Sequence, residues 1–229
     1  MKKYTRLFTI VSMFVFGGCA SSGTKPHDMS VEQHEHAAQR EQDEAKAHAD
    51  QYDPGLEGTE EMCPGGGLIC WTTWSNPTAE HNQAANHHRT LAKKHRKAAE
   101  ALRKAEETAC QGVDERDRDL SPFFHTSDIA RVDVPEAGSD ASVVIAFRAV
   151  SGLTMETLQP LLACHIARSA AMGHEMPEMD YCPLVPRGVS ATASSMDGVV
   201  IVTISIDNSA GTRDEVLRRA NQLKQAVSP

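Results

Sequence analysis

Asn76-Pro77-Thr78-Ala79-Glu80-His81 opens a run that nothing interrupts until Cys110, with Gly112 just beyond it. Asn before Pro is a helix start: the Asn side chain caps free amides, and proline loses nothing in the first turn. Gly112 supplies the stop. At 1.5 Å per residue the run predicts a helix of about 50 Å. Its middle is basic, with Arg89, Lys93, Lys94, Arg96, Lys97, Arg103 and Lys104. Upstream, Ser30-Val31-Glu32-Gln33 has capping-box spacing, and the helix it opens ends near Tyr52, ahead of Asp53-Pro54-Gly55. This first helix is acidic. The opposite charges predict an antiparallel helical hairpin over residues 30–112. Small residues such as Ala37, Ala38, Ala45, Ala85 and Ala92 let the two axes approach closely. Large apolar groups are few, chiefly Leu91 and Leu102, so burial alone holds the pair weakly. Such a hairpin either docks on the rest of the chain or meets a partner.

Histidines run along the same helices. His81, His88 and His95 recur every seven residues, and His34, Glu41 and His48 share that spacing. Antiparallel pairing sets His34 against His95, Glu41 against His88, and His48 against His81. Residues seven apart on one helix stand about 10 Å apart, so only pairs across the hairpin can share an ion. Stacked imidazoles of this kind suit zinc or copper. Each pair brings two ligands, short of the four of a structural zinc site. The plainer reading is an alanine-rich pair with partly exposed histidines.

Between the helices, residues 53–76 read as an irregular, glycine-rich connection closed by a Cys63–Cys70 bridge, with Trp71 and Trp74 covering apolar surface. Residues 113–138 read as a charged connecting segment in which Phe123 and Phe124 pin the crossing. From residue 139 the texture changes. Residues 142–150 read as a strand. A helix follows from Thr154 to Met172, with Pro160 separating its first turn. Residues 188–195 and 199–207 form two strands joined at Met196-Asp197-Gly198. The last helix opens on the capping box Thr212-Arg213-Asp214-Glu215. The whole is α+β: a long N-terminal helical hairpin, then a small antiparallel sheet over 139–229, covered on one face by helices in the order β-α-β-β-α.

The loop after the first C-terminal helix gathers Cys164, His174, Met176, Met179 and Cys182. Thiolate, thioether and imidazole are the soft donors that suit cuprous copper. The competing reading, a Cys164–Cys182 disulfide, is preferred. It leaves Cys110 unpaired, as an inert thiol or a link to another chain. Pairing of Cys110 with Cys63 or Cys70 stays open.

Ahead of all this stand Lys2, Lys3 and Arg6, a short apolar run, and Val15-Phe16-Gly17-Gly18-Cys19. The pattern is that of a secretory signal over residues 1–18. It resembles the lipobox of bacterial lipoproteins, with Phe16 where Leu is usual. The resemblance implies lipidation at Cys19, a flexible tether over 19–29, and a membrane partner reached through the lipid. With Ala20 and Ser21 in place of Asp, it further implies the periplasmic side of the outer membrane. The mature part is similar to uncharacterised Gram-negative envelope lipoproteins at Asn-Pro-Thr-Ala-Glu-His (76–81) and Cys-Pro-Leu-Val-Pro (182–186), which carry no activity over. The formal charge of −8 and the export signal argue against nucleic acid as a partner. The enzyme motifs His-Glu-x-x-His and Gly-x-Ser-x-Gly are missing from the sequence, as is a phosphate-binding glycine loop. The expectation is a non-enzymatic, lipid-anchored envelope protein with an interaction or scaffold role, its hairpin presented to a protein partner. The alternative is a periplasmic lipoprotein that binds copper or zinc through the histidine seam or the Cys/His/Met loop.

Overall fold

The computed structural model describes residues 23–63, 70–136, 142–207 and 210–227. The signal segment, Cys19 and the Gly65-Gly66-Gly67 run lie outside the described residues. The fold is α+β, with four α-helices and two antiparallel sheets among those residues.

Helices α1 (Val31–Gln51) and α2 (Ala79–Ala109) pack along one another. At the start of α1, Ser30 Oγ accepts from the Gln33 amide and the Gln33 side chain accepts from the Ser30 amide. Asn76 caps the turn before α2, its Oδ1 accepting from the Thr78 amide at 2.7 Å. Ala37, Ala38, Ala45, Ala85, Ala92, Ala98 and Ala99 are buried along the hairpin, with Leu102 as its one large buried aliphatic. Alanine has the best helix propensity and the smallest side chain, which favours long helices with close axes. Cross-helix polar contacts follow the opposite charges: Arg103 pairs with Glu35, and Arg96 donates to Gln42.

The connection between them is not irregular. Strands β1 (Gly58–Met62) and β2 (Trp71–Ser75) form an antiparallel ribbon, with Gly58 opposite Ser75 and Met62 opposite Trp71. Cys63–Cys70 joins the strands at the end of the ladder. The adjoining glycines hide the strand signal, which the β-branched pair Thr72-Thr73 carries. Trp74 does not cover apolar surface: it is 76% exposed.

The C-terminal body holds a four-stranded sheet of order β3-β4-β6-β5. Its members are β3 (Ile129–Asp133), β4 (Val143–Phe147), β5 (Val189–Met196) and β6 (Val199–Ile206). The segment 113–138 therefore does more than connect, since it supplies β3. Asp197 and Gly198 both have positive φ, 53° and 78°, as a two-residue hairpin turn needs. Alternate residues Val143, Ile145, Phe147, Val202 and Ile204 bury one side of the sheet. They meet Leu158 and Leu162 of α3 (Met155–Ala171) and Val216 and Leu223 of α4 (Ala210–Val227). Phe123 stacks on Phe147, whereas Phe124 stays exposed. Pro160 does not break α3; the carbonyl it leaves without a partner belongs to exposed Glu156, where water can satisfy it. Helix α4 starts at Ala210, ahead of the expected cap at Thr212. Glu215 is thereby inside the helix, and its carboxylate binds Arg218 and Arg219.

The cysteine pairing also differs from expectation. Cys110, at the C-terminal cap of α2, is bonded to Cys164 in the middle of α3, and Cys182 is the free, buried thiol. Consecutive helical residues point about 100° apart. Cys164 therefore faces α2, and it is His165 that turns toward Cys182. One turn on, Arg168 donates to Glu106 at 2.8 Å and pairs with Asp119. The hairpin is thus docked on the body. Residues 23–29, expected as part of a tether, are docked as well: a 3-10 turn over Pro26–Asp28 packs on α2.

The Cys110–Cys164 link closes a loop of 54 residues in sequence. Replacing both with Ser is expected to lower the free energy of unfolding by about 2–4 kcal/mol, read as a lower urea midpoint. In unreduced protein lacking Cys19, thiol titration should find no reactive group in the native state and Cys182 alone after unfolding.

Candidate functional site

The three expected histidine pairs meet across the hairpin. His34 Nδ1 lies 3.0 Å from His95 Nδ1, and both rings are buried. His34 Nε2 faces the Lys25 carbonyl at 3.1 Å and the Pro26 carbonyl at 3.4 Å, so that nitrogen carries a proton. In the neutral pair His34 Nδ1 must then accept, and His95 Nδ1–H donates. Burial, with His34 alongside, holds the His95 pKa below its ordinary value. This pair is a clasp. It fixes the register of the two helices and holds the Lys25–Asp28 turn against them.

The other two pairs are more open. His48 Nδ1 stands 3.2 Å from His81 Nδ1. His88 Nδ1–H donates to Glu41 Oε2 at 2.7 Å. The His48 ring also stacks on His88, centroids 5.5 Å apart and planes 13° from parallel. That contact links the two pairs into one group, a feature the seven-residue spacing does not disclose. As the side chains stand, no three donor atoms of the seam come within 4.8 Å of one another.

Among the described residues Glu61, Cys63 and Cys70 do meet that criterion. Sequence reasoning passed over Glu61, two positions before the first cysteine. With the bridge formed, neither sulfur is a thiolate, the form that binds metal.

The soft-donor loop of the body does not assemble as a copper site. Cys164 is oxidised, and Met176 and Met179 are buried in the core. Ser169 Oγ donates to the His165 carbonyl at 2.8 Å, and the Met176 sulfur lies 3.2 Å from that same hydroxyl. His174 sits at φ 65°, a left-handed conformation that few side chains adopt, and its Nδ1–H donates to the Val185 carbonyl at 2.7 Å. Burial lowers its pKa. The Cys164-His165 pair belongs to the same soft-donor group in the sequence, but the contact that sequence reasoning missed is that of His165 Nε2 with Cys182 Sγ, 3.3 Å apart in the core. Burial pushes the Cys182 thiol up to about 11 and the His165 imidazole down to about 4. Thiol and imidazole are therefore both neutral, the opposite of the thiolate–imidazolium pair a cysteine nucleophile needs. Elsewhere on the body a cleft of about 340 Å³ is lined by Phe124, Phe147, Leu153 and Leu161, with Asp117 and Asp128.

No family model matches the chain, and no curated protein or solved structure matches it.

His165 generates a pH dependence. Its unfolded-state value is near the ordinary 6.5 and its folded value about 4, so between those limits the unfolded chain binds more protons. Stability is full above pH 6.5 and falls on acidification through that window, by about 2 kcal/mol at pH 5 from this group. Urea midpoints at pH 7 and pH 5 should show the drop. In His165→Gln the difference between the two should shrink.

Proposed function

We propose that the chain is a non-enzymatic, lipid-anchored envelope protein whose hairpin presents the β1–β2 ribbon to a protein partner. The observation that carries this reading is Trp74. A tryptophan left 76% exposed on a two-stranded ribbon forgoes the burial its size would otherwise give it. Tryptophan is among the residues that anchor protein interfaces most strongly. The strands of the ribbon pair with each other and, among the described residues, join no other sheet, so their outer backbone edges also favour contact with a partner strand. The Cys63–Cys70 bridge limits the ribbon's freedom before binding, which lowers the entropy lost on association.

The docking of the hairpin supports the same reading. Its α2 end is fastened to the body by Cys110–Cys164 and Arg168, while the ribbon occupies the opposite end of both helices. Anchoring at Cys19 rests on the lipobox resemblance, as does placement on the periplasmic side of the outer membrane.

Photo-crosslinking in intact cells tests the proposal. A crosslinker at position 74 should give one discrete adduct, lost when Cys63 and Cys70 are both replaced by Ser. The same group at Met196, exposed on the β5–β6 turn of the body, should not give it. Equal adducts from both positions, or none from position 74, would rule the ribbon out as the contact. Cys19→Ser should move the protein from the membrane fraction to the soluble one.

A further inference from the structure

We propose that His48, His81 and His88 form a binding site for a borderline divalent transition-metal ion, with Glu41 orienting His88 from behind. The site goes beyond the partner-binding role and does not depend on it.

The first observation is a distance. Zinc–nitrogen bonds of 2.0–2.1 Å in a tetrahedron place neighbouring nitrogens about 3.3 Å apart. His48 Nδ1 and His81 Nδ1, contributed by different helices, are already 3.2 Å apart. An ion between them takes both Nδ1 lone pairs while each ring keeps its proton on Nε2, so neutral rings lose no proton overall.

The second is the third ring. His88 stacks against His48, and its Nδ1–H is committed to Glu41 Oε2 at 2.7 Å. In the neutral ring this leaves Nε2 as the free donor. A carboxylate holding the far nitrogen of a metal-binding histidine is the usual second layer of such sites, fixing tautomer and ring direction. His81 and His88 stand about 10 Å apart along α2, too far to share an ion by themselves, but the His48 ring from α1 lies between them with its centroid 5.5 Å from each. Bringing the His88 donor to the other two calls for ring rotation. Histidine χ2 is a broad, roughly two-fold torsion, so the rings can turn while both helices stay in place.

The third is access. The side chains of His88 and Glu41 are each 25% exposed, so an ion and a completing water can enter. His34 and His95 have a similar separation, 3.0 Å, but not this chemistry. They are buried, and His34 Nε2 is spent on the Lys25 carbonyl. Three imidazoles without thiolate or thioether favour Zn²⁺ or Cu²⁺ over cuprous copper, and over the oxygen-seeking Mg²⁺ and Ca²⁺.

The test is calorimetric titration of untagged, chelator-stripped full-length protein with Zn²⁺. One ion per chain is expected, with Cu²⁺ binding more tightly at the same site, as the usual order of metal affinities requires. His81→Gln and His88→Gln should each weaken Zn²⁺ binding at least tenfold, and Glu41→Gln by about tenfold. His36→Ala should leave it unchanged, because that ring is exposed on the outer side of α1 beside Glu32. Zinc should raise the melting temperature of the wild type and leave that of His81→Gln where it was, with helix content by circular dichroism confirming that each variant is folded. Absence of saturable binding would overturn the proposal. So would zinc affinity unchanged in a folded His81→Gln, His88→Gln double variant.

Discussion

A single nitrogen-to-nitrogen hydrogen bond, His95 Nδ1–H to His34 Nδ1, sets the geometry of the N-terminal half. Alanine faces slide past one another with little change in buried area, so they specify closeness without specifying register. A buried polar pair does specify register, because any slip would leave two imidazole nitrogens without partners in a dry interface. The clasp reaches further through His34 Nε2, which ties down the Lys25 carbonyl. One side chain thus aligns two helices and secures the segment that enters them.

From that alignment the other parts take their positions. With the helices in register, Glu41 meets His88 two turns on from the clasp, and His48 meets His81 two turns beyond that. The ribbon is held at the same end. At the other end the long helix delivers Cys110 to Cys164, and the hairpin becomes an extension of a body with its own core. Stiffness comes from the disulfide and the ion pairs of Arg168 more than from apolar area, since the hairpin buries mostly methyl groups.

What could be read beforehand divides along the range of the forces involved. Helix periodicity, capping at Ser30, and the Asp197-Gly198 turn are local, and the residues that cause them sit within a few positions. The histidine pairs were legible because two seven-residue repeats of opposite direction allow only one good match. The ribbon was hidden by its glycine neighbours and by a tryptophan whose exposure sequence cannot show. The Cys164–Cys182 expectation failed on a rotation of one helical step: spacing along the chain does not tell which of Cys164 and His165 faces the core. Strand β3 was missed because its alternation breaks: two exposed residues, Ala130 and Arg131, stand between buried Ile129 and Val132, with a bulge between Ile129 and Arg131. The contact between His48 and His88 depends on ring orientation, which no spacing rule contains.

If the proposed lipid anchor is present, the docking of Lys25 also bears on how far the molecule could stand from a membrane. If Cys19 carries a lipid, only Ala20, Ser21 and Ser22 separate it from the docked segment that begins at Gly23, a leash of at most about 15 Å when fully stretched. The leash meets the protein at the foot of α1, and α1 itself, at 21 residues, measures about 30 Å from foot to ribbon. A long slack tether would let the ribbon sweep a hemisphere around its attachment. A short one on a lipidated Cys19 would keep the foot close to the bilayer and make the stiff arm the chief source of reach. The protein would then act at a fixed standoff, as a gauge of the distance between its own membrane and whatever the ribbon touches.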